Sequence, residues 1–300
     1  MARKTGVERQ RGNRLGFWFF RTAVRTFGLG GAYGLLYFVC LYYLLVDRAL
    51  AAAALTYVSR RFPEHGGARR QFDVYLLLVS QGKSLVDRYA KAAGYGGVEL
   101  ELRGFEQVKA LIDPGKKGLI LLTAHVGNWQ VAMTALKGFG TTVHLMMRPE
   151  DNRAVKQALN IDGEDDTVRV IYTDESLGGV IEAMKAINRG ELVSIMGDRA
   201  YNFSADDARF LGGNVRFPYG AFTLAAAAQC PVVVLLSAKV GAKKYIVDIT
   251  HIIPPPAGGR SKRAEEMKRA LQAFADILEE YVAAHPYQWF VFRDIWTDNQ

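Results

Sequence analysis

From Lys116 onward, hydrophobic positions form short apolar runs that alternate with amphipathic stretches of helical length. The apolar runs have the length of strands and the amphipathic stretches that of helices. The predicted strands are residues 118–123, 142–147, 168–172, 192–197, 231–239 and 245–250. The predicted helices are residues 128–136, 150–159, 175–188, 221–229 and 261–284. This alternation is typical of an α/β domain.

The last two predicted strands are close together along the chain, because only the turn VGAKK separates them. We expect them to form an antiparallel hairpin, which a short connection permits. The predicted fold class is therefore α/β with a mixed central sheet flanked by helices. Residues 254–259, which are rich in proline and glycine, are interpreted as a loop within this domain.

The N-terminal third has a helical pattern instead. Residues 49–61 and 69–93 predict two helices, and residues 26–46 form a run without a charge. A run of that length can cross a bilayer, yet its tyrosines suit an embedded or monotopic helix equally well. A buried hydrophobic hairpin of a soluble protein is the alternative. We predict a membrane-associating N-terminal region at residues 1–62 and the α/β domain at residues 63–300.

The distribution of charge favours a membrane as the anionic partner. The formal net charge is +8, but seven basic residues and one acidic residue lie within the first 25, directly ahead of the apolar run. A nucleic-acid-binding domain usually spreads its basic residues over a folded face, whereas basic residues beside an apolar segment attract anionic lipid. We therefore expect binding to anionic membrane lipids and no binding to nucleic acid.

Cysteine and histidine spacing supports neither a disulfide framework nor a metal site. Cys40 and Cys230 lie in separate apolar runs without CxxC spacing. The five histidines show no HExxH or HxH pattern. We therefore expect no metal, and a chain that faces a reducing, cytoplasmic compartment.

The best candidate for chemistry is the stretch TAHVGNWQ at residues 123–130. His125 lies where a predicted strand ends, and ligands of α/β sheets bind at the carboxyl ends of strands. Gly127 allows a close approach to the backbone, and Asn128 suits the N-cap of the next helix. A histidine in such a turn can act as a general base toward a substrate hydroxyl. A hydrogen-bonded structural histidine is the alternative.

This stretch resembles the His-x4-Asp/Glu block of the lysophospholipid acyltransferase superfamily, in particular its bacterial lipid A biosynthesis branch. Further blocks follow in the order known from that family, at residues 145–152, 195–200, 209–233 and 285–292. The resemblance covers most of the chain, including the apolar N-terminal run. It implies a glycerol-phosphate acyltransferase-like α/β fold at the cytoplasmic face of a bacterial inner membrane.

The resemblance also implies an activity. A fatty acyl chain would pass from acyl carrier protein or acyl-CoA to a hydroxyl or amine of an amphipathic, lipid- or glycolipid-type acceptor. His125 would deprotonate the acceptor, without a covalent acyl-enzyme and without a cofactor besides the acyl donor. Arg148 would meet an acceptor phosphate, with a surface ion pair as its alternative. The residues expected to bind substrate are Asn128, Arg148, Arg199 and Gly212.

One position departs from the family pattern. The acidic residue five positions after the histidine is Gln130 here. A carboxylate would orient the imidazole and stabilise the imidazolium, whereas the amide of Gln130 can accept the hydrogen bond but brings no charge.

Three interpretations follow: a working His125–Gln130 pair, a substitute carboxylate such as Asp198, or a site that no longer catalyses. Asp198 and its neighbour Arg199 could equally form a structural ion pair with each other. A site without catalysis would make the chain a silent lipid-binding or scaffold protein.

Overall fold

The structure, a computed structural model, describes residues 14–94, 98–112, 115–147, 167–173, 179–200 and 204–297. Its strands are β1 (Glu99–Arg103), β2 (Ile120–Thr123), β3 (Val143–Met147), β4 (Val168–Tyr172), β5 (Leu192–Met196), β6 (Ala205–Phe210), β7 (Gly213–Pro218), β8 (Val232–Lys239) and β9 (Lys244–Ile253). Seven of them form one sheet in the order β1-β9-β8-β2-β5-β3-β4, and β6 pairs with β7 in a second sheet. Only the β8–β9 pair of the large sheet is antiparallel, so the predicted mixed sheet is confirmed.

The helices flank this sheet. They are α1 (Arg14–Val46), α2 (Arg48–Arg61), α3 (Gly67–Ala92), α4 (Phe105–Lys109), α5 (Trp129–Ala135), α6 (Val180–Asn188), α7 (Gly220–Ala228) and α8 (Arg260–Ala284). A short 3-10 helix, Leu136–Phe139, follows α5.

The six predicted strands and the hairpin are confirmed. The structure adds β1 and the β6–β7 pair, which had not been predicted because ELELR and ADDARF carry charges and contain no apolar run. The predicted helix at residues 150–159 lies outside the described residues, and α6 is the described part of the helix expected at residues 175–188. The division of the chain at residue 62 stays a prediction.

Strand β2 lies in the middle of the sheet and is buried on both faces. Successive side chains of a strand point to opposite faces. Accordingly, Ile120 and Leu122 enter the core shared with α6, α7 and α8, whereas Leu121 enters the core shared with α5. Burial on both faces fixes the end of β2, from which the candidate site begins.

Helix α1 packs against α3 on one side and leaves apolar side chains uncovered on the other. Leu36 and Cys40 face the core, while Phe38 and Leu45 are 74% and 68% exposed. The residues Thr22–Val46 are long and apolar enough, by length and composition, to cross a membrane. The apolar run predicted at residues 26–46 is therefore a helix with one packed face and one exposed face.

A buried carboxylate joins α1 and α3 to the sheet. Asp87 on α3 accepts hydrogen bonds from Tyr33 of α1 and Tyr245 of β9, and from the Nζ of Lys239 of β8 at 2.6 Å. Burial and the neighbouring carboxylate raise the pKa of Tyr245, so its hydroxyl remains a donor. One side chain therefore links four elements through its polar contacts.

We expect Asp87→Ala to destabilise the protein by about 3 kcal/mol, because it leaves the largely buried Lys239 without its carboxylate. Chemical denaturation in detergent measures the change in the free energy of unfolding. Glu101→Gln is the control, since it removes an exposed carboxylate from its contact with Lys244 and should have no measurable effect. Equal losses in the two variants would contradict this assignment.

Candidate active site

The loop between β2 and α5 carries His125 at the carboxyl edge of the sheet. Strand β2 pairs with β5 and β8 along its whole length. Just beyond the strand, the N–H of Val126 donates to the carbonyl oxygen of Ala124 at 2.8 Å, which makes a tight turn around His125. Since β2 and β5 are parallel neighbours, the residues that follow β5 lie beside this turn.

Gly127 lets the loop lie directly on β8. Its φ is +51°, and a Cβ at this position would stand 1.9 Å from the carbonyl oxygen of Ser237. Its N–H donates to the carbonyl oxygen of Gln288 at 2.8 Å. The close approach expected at this glycine is confirmed, and the approaching group is protein backbone.

Asn128 caps α5, as its position in the sequence predicted. It is 2% exposed. Its Oδ1 accepts from the N–H of Val131 at 3.4 Å, and its Nδ2 donates to the carbonyl oxygen of Ser84 at 3.0 Å. Both polar ends of this side chain bond to the protein, so Asn128 belongs to the framework of the turn.

His125 is paired with a buried carboxylate. Its Nδ1 lies 2.8 Å from Oδ1 of Asp198, and its backbone N–H donates to Oδ2 at 2.9 Å. Because an ionised carboxylate only accepts, Nδ1 is the donor, and in the neutral imidazole the lone pair lies on Nε2. The His125 side chain is 23% exposed. Within the described residues, Nε2 has no hydrogen-bond partner, so a basic nitrogen is open to the surroundings.

Residues 285–292, which we call the closing segment, lie against this pair. Trp289 forms an antiparallel bridge with Val126, and its Nε1 donates to Oδ2 of Asp198 at 3.0 Å. The N–H of Phe290 donates to the carbonyl oxygen of His125 at 2.8 Å. Asp198 thus accepts from three donors, one of them the indole of a fully buried tryptophan. The segment both satisfies the carboxylate and shields it from water.

The surroundings keep Asp198 ionised. Burial by itself raises the pKa of a carboxyl group. The charge and hydrogen bonds of His125, together with the charge of Arg199, outweigh burial and hold the pKa of Asp198 well below its usual range. An ionised partner both orients the imidazole and stabilises it when it takes up a proton.

Gln130 is directed to a different neighbour. Its Oε1 accepts a hydrogen bond from Nη1 of Arg88 on α3 at 2.7 Å. The His125–Gln130 pair considered from the sequence is not formed, because Nδ1 of His125 donates to Asp198 and Gln130 lies on the side of α5 that faces α3. Of the two partners expected for the imidazole, the structure has Asp198 in contact with it.

Three further residues were expected to bind substrate, and the structure describes two of them. Arg199 donates from Nη2 to the carbonyl oxygen of Phe290 at 2.6 Å, which brings it to the closing segment. Gly212 lies in the turn between β6 and β7, beside a cavity of about 510 Å³ bounded by that turn and α8. Arg148 lies outside the described residues.

Sequence reasoning did not single out Trp289, Ser237 or Gln288 as part of the site. The closing block containing Trp289 was recognised, but its contact with Asp198 spans 91 positions of the chain. Ser237 is a buried hydroxyl in a largely apolar strand. A polar residue within that apolar run was the feature of the sequence that could have identified it. Its Oγ accepts from the N–H of Asn128 at 3.0 Å.

The arrangement supplies an oriented base that can pass a proton from one substrate group to another. Its parts come from the ends of β2 and β5 and from the closing segment. Within the described parts of the chain, no three His, Cys, Asp or Glu side chains come together as a metal site would require.

Comparison with known protein families gives a match over most of the chain. A family model described as bacterial lipid A biosynthesis acyltransferase matches residues 91–298. The matched stretch runs from just before β1 through the closing segment, and it contains His125, Asp198 and Trp289. A comparison with curated proteins gives no match.

Ionisation of Asp198 should be visible in the stability of the protein at low pH. Its pKa is depressed in the folded state, so its contribution is fully present above the unfolded value of about 3.9 and is lost as the pH falls below it. Between about pH 5 and pH 2, the free energy of unfolding should therefore fall more steeply for the wild type than for Asp198→Asn. Denaturation at a series of pH values measures both slopes. Asp207→Asn, at an exposed carboxylate, should keep the wild-type slope, and parallel slopes for Asp198→Asn would contradict the assignment.

Proposed function

Because this chain belongs to the bacterial lipid A biosynthesis acyltransferase family, which points to a lipid acyltransferase, we propose its reaction in more detail. It transfers a fatty acyl chain from a thioester donor to a hydroxyl or amine of a lipid- or glycolipid-type acceptor. His125 acts as the general base. The observation that carries this proposal is the pairing of a partly exposed imidazole with a buried, ionised Asp198.

The proposed chemistry needs one proton carrier. Nε2 of His125 takes the proton of the acceptor hydroxyl or amine as the acceptor atom attacks the carbonyl carbon of the thioester. The new ester or amide bond forms and the carbon–sulfur bond breaks. The imidazolium then returns its proton to the departing thiolate, which leaves as the free thiol. No covalent acyl-enzyme forms in this scheme.

In this proposal Asp198 takes the part that the family's acidic residue at position 130 would play. The carboxylate fixes Nδ1 as the protonated nitrogen of the neutral imidazole, so Nε2 is the nitrogen that takes up the acceptor's proton. It also stabilises the positive charge that develops during proton transfer. This pairing supports an active transferase over the silent lipid-binding protein that the amide at position 130 had left open.

From the same family membership we also propose the acyl donor and the location of the protein. The donor is acyl carrier protein or acyl-CoA, and no further cofactor takes part. The protein lies at the cytoplasmic face of a bacterial inner membrane, where the basic N-terminal residues contact anionic lipids. The exposed apolar face of α1 supports contact with lipid, because an uncovered face of this kind is unfavourable in water.

We expect His125→Ala to abolish the acylated product and Asp198→Asn to lower kcat by about 10²–10⁴-fold, because the amide no longer enforces the correct tautomer. Mass spectrometry of lipid extracts from expressing cells identifies the product, and a thioester-cleavage assay on purified protein gives kcat. His251→Ala is the control, since His251 lies on β9, which β8 separates from β2. Wild-type turnover in His125→Ala would overturn the proposed base. Lipid profiles identical in all strains, in a host containing the acceptor, would favour the silent protein.

Membrane association has its own test. Phe38→Asp with Leu45→Asp places two carboxylates on the exposed face of α1, and a charge in the hydrocarbon costs about 2.5–3.5 kcal/mol. The double variant should sediment far less with phosphatidylglycerol-containing vesicles than the wild type does. Val180→Asp with Ile181→Asp introduces the same charge on exposed apolar positions of α6 and should leave sedimentation unchanged. Full sedimentation of the α1 variant would contradict contact through this face.

A further inference from the structure

One face of α3 lies along the loop and helix that follow His125. Ser84 donates from Oγ to the carbonyl oxygen of Gly127 at 2.7 Å. One turn later, Arg88 donates to Gln130 at 2.7 Å, and Lys91 then donates from Nζ to Oγ1 of Thr134. We call Arg88, Lys91, Gln130 and Thr134 the α3–α5 seam.

The seam holds positive charge without a carboxylate. Arg88 and Lys91 donate to a neutral amide and a neutral hydroxyl, and within the described residues neither forms an ion pair. The adjacent Asp87 is instead engaged by Lys239, Tyr33 and Tyr245. Burial lowers the pKa of Arg88, and burial together with the nearby charge of Lys137 lowers that of Lys91. Partly buried cations without a counter-charge are costly and create a strong preference for an anion.

We propose that the α3–α5 seam is an oxyanion subsite that binds a phosphate group of the substrate, with Arg88 as its main ligand. A guanidinium can donate to phosphate oxygens in a planar, two-pronged manner, and the ammonium of Lys91 adds a second charge. The inference rests on the proposed function in so far as the phosphate belongs to a substrate of that reaction.

The distance along α3 favours a phosphate on the acceptor. Four residues of helix rise about 6 Å, so Arg88 lies about one turn from the contact between Ser84 and Gly127. Gly127 is two residues from His125, so a phosphate held by Arg88 would belong to a group near the proposed base, as in a phosphorylated acceptor headgroup. A phosphopantetheine arm, in contrast, separates its phosphate from the thioester by two amide groups and a branched alcohol.

The amide at position 130 has a physical reason in this arrangement. A carboxylate there would pair with Arg88 from within the protein and compete with any external anion. Gln130 accepts one hydrogen bond and holds the guanidinium in place, but it leaves the positive charge available. The departure from the family's acidic residue thus becomes a feature of substrate binding, while Asp198 orients the base.

The test measures phosphate affinity in detergent at constant ionic strength, with inorganic phosphate replacing chloride and thermal unfolding as the readout. We expect the affinity to fall by about tenfold or more in Arg88→Gln and in Gln130→Glu. Lys185→Gln removes an equal charge from the exposed surface of α6 and should keep the wild-type affinity. Gln130→Glu preserves every side-chain size in the seam, so it decides the question even where Arg88→Gln does not fold. Equal phosphate affinity in all four proteins, or no phosphate binding in any, overturns the subsite.

Two soluble competitors distinguish the source of the phosphate. A hexose phosphate that binds in an Arg88-dependent manner identifies the acceptor headgroup, whereas Arg88-dependent binding of free phosphopantetheine alone identifies the donor. Binding of neither competitor in an Arg88-dependent manner overturns the assignment to a substrate phosphate.

A final comparison separates this inference from the proposed reaction. His125→Ala should retain phosphate affinity although it lacks turnover. In a protein that keeps His125, Gln130→Glu should raise KM for a phosphorylated acceptor with little change in kcat. A fall in kcat at unchanged KM would instead show that Gln130 acts through the base and would overturn the subsite. If Arg88-dependent phosphate binding occurs in a protein without transferase activity, the subsite stands and the proposed function fails.

Discussion

The whole site depends on one buried carboxylate. Asp198 follows β5, orients an imidazole that follows β2, and accepts from the indole of a tryptophan near the C-terminus. A carboxylate removed from water requires several donors to remain ionised. Two of these donors belong to His125 and the third to Trp289, in a distant part of the chain. Satisfying Asp198 therefore requires the sheet, the loop and the closing segment to be assembled together.

Helix α3 connects α1 to the loop that carries His125. Through Asp87 it binds Tyr33 of α1 and Lys239 of β8, and through Ser84 it contacts the loop that carries His125. The apolar helix α1 is thus joined to the loop that carries His125 through polar contacts of α3.

The family pattern places an acidic residue at position 130, where it would orient the histidine. Here Asp198 contacts the imidazole instead. With Asp198 against the imidazole, position 130 is free to face Arg88. An amide there orients the guanidinium without neutralising it. This division of roles explains how a chain can lack the family's acidic residue and still retain an oriented, charged partner for its histidine.

The sequence by itself determined the elements and singled out His125 as the candidate base. Six strands, the hairpin and His125 at a strand end follow from apolar runs and local turn chemistry, which neighbouring residues specify. The order of the strands, the choice of Asp198 over Gln130, the contact of Trp289 with that carboxylate and the pairing of Arg88 with Gln130 were decided by the tertiary structure. Each of these contacts joins residues that are 42 to 91 positions apart, and only the packing of β2, β5, α3 and the closing segment brings them within hydrogen-bond distance.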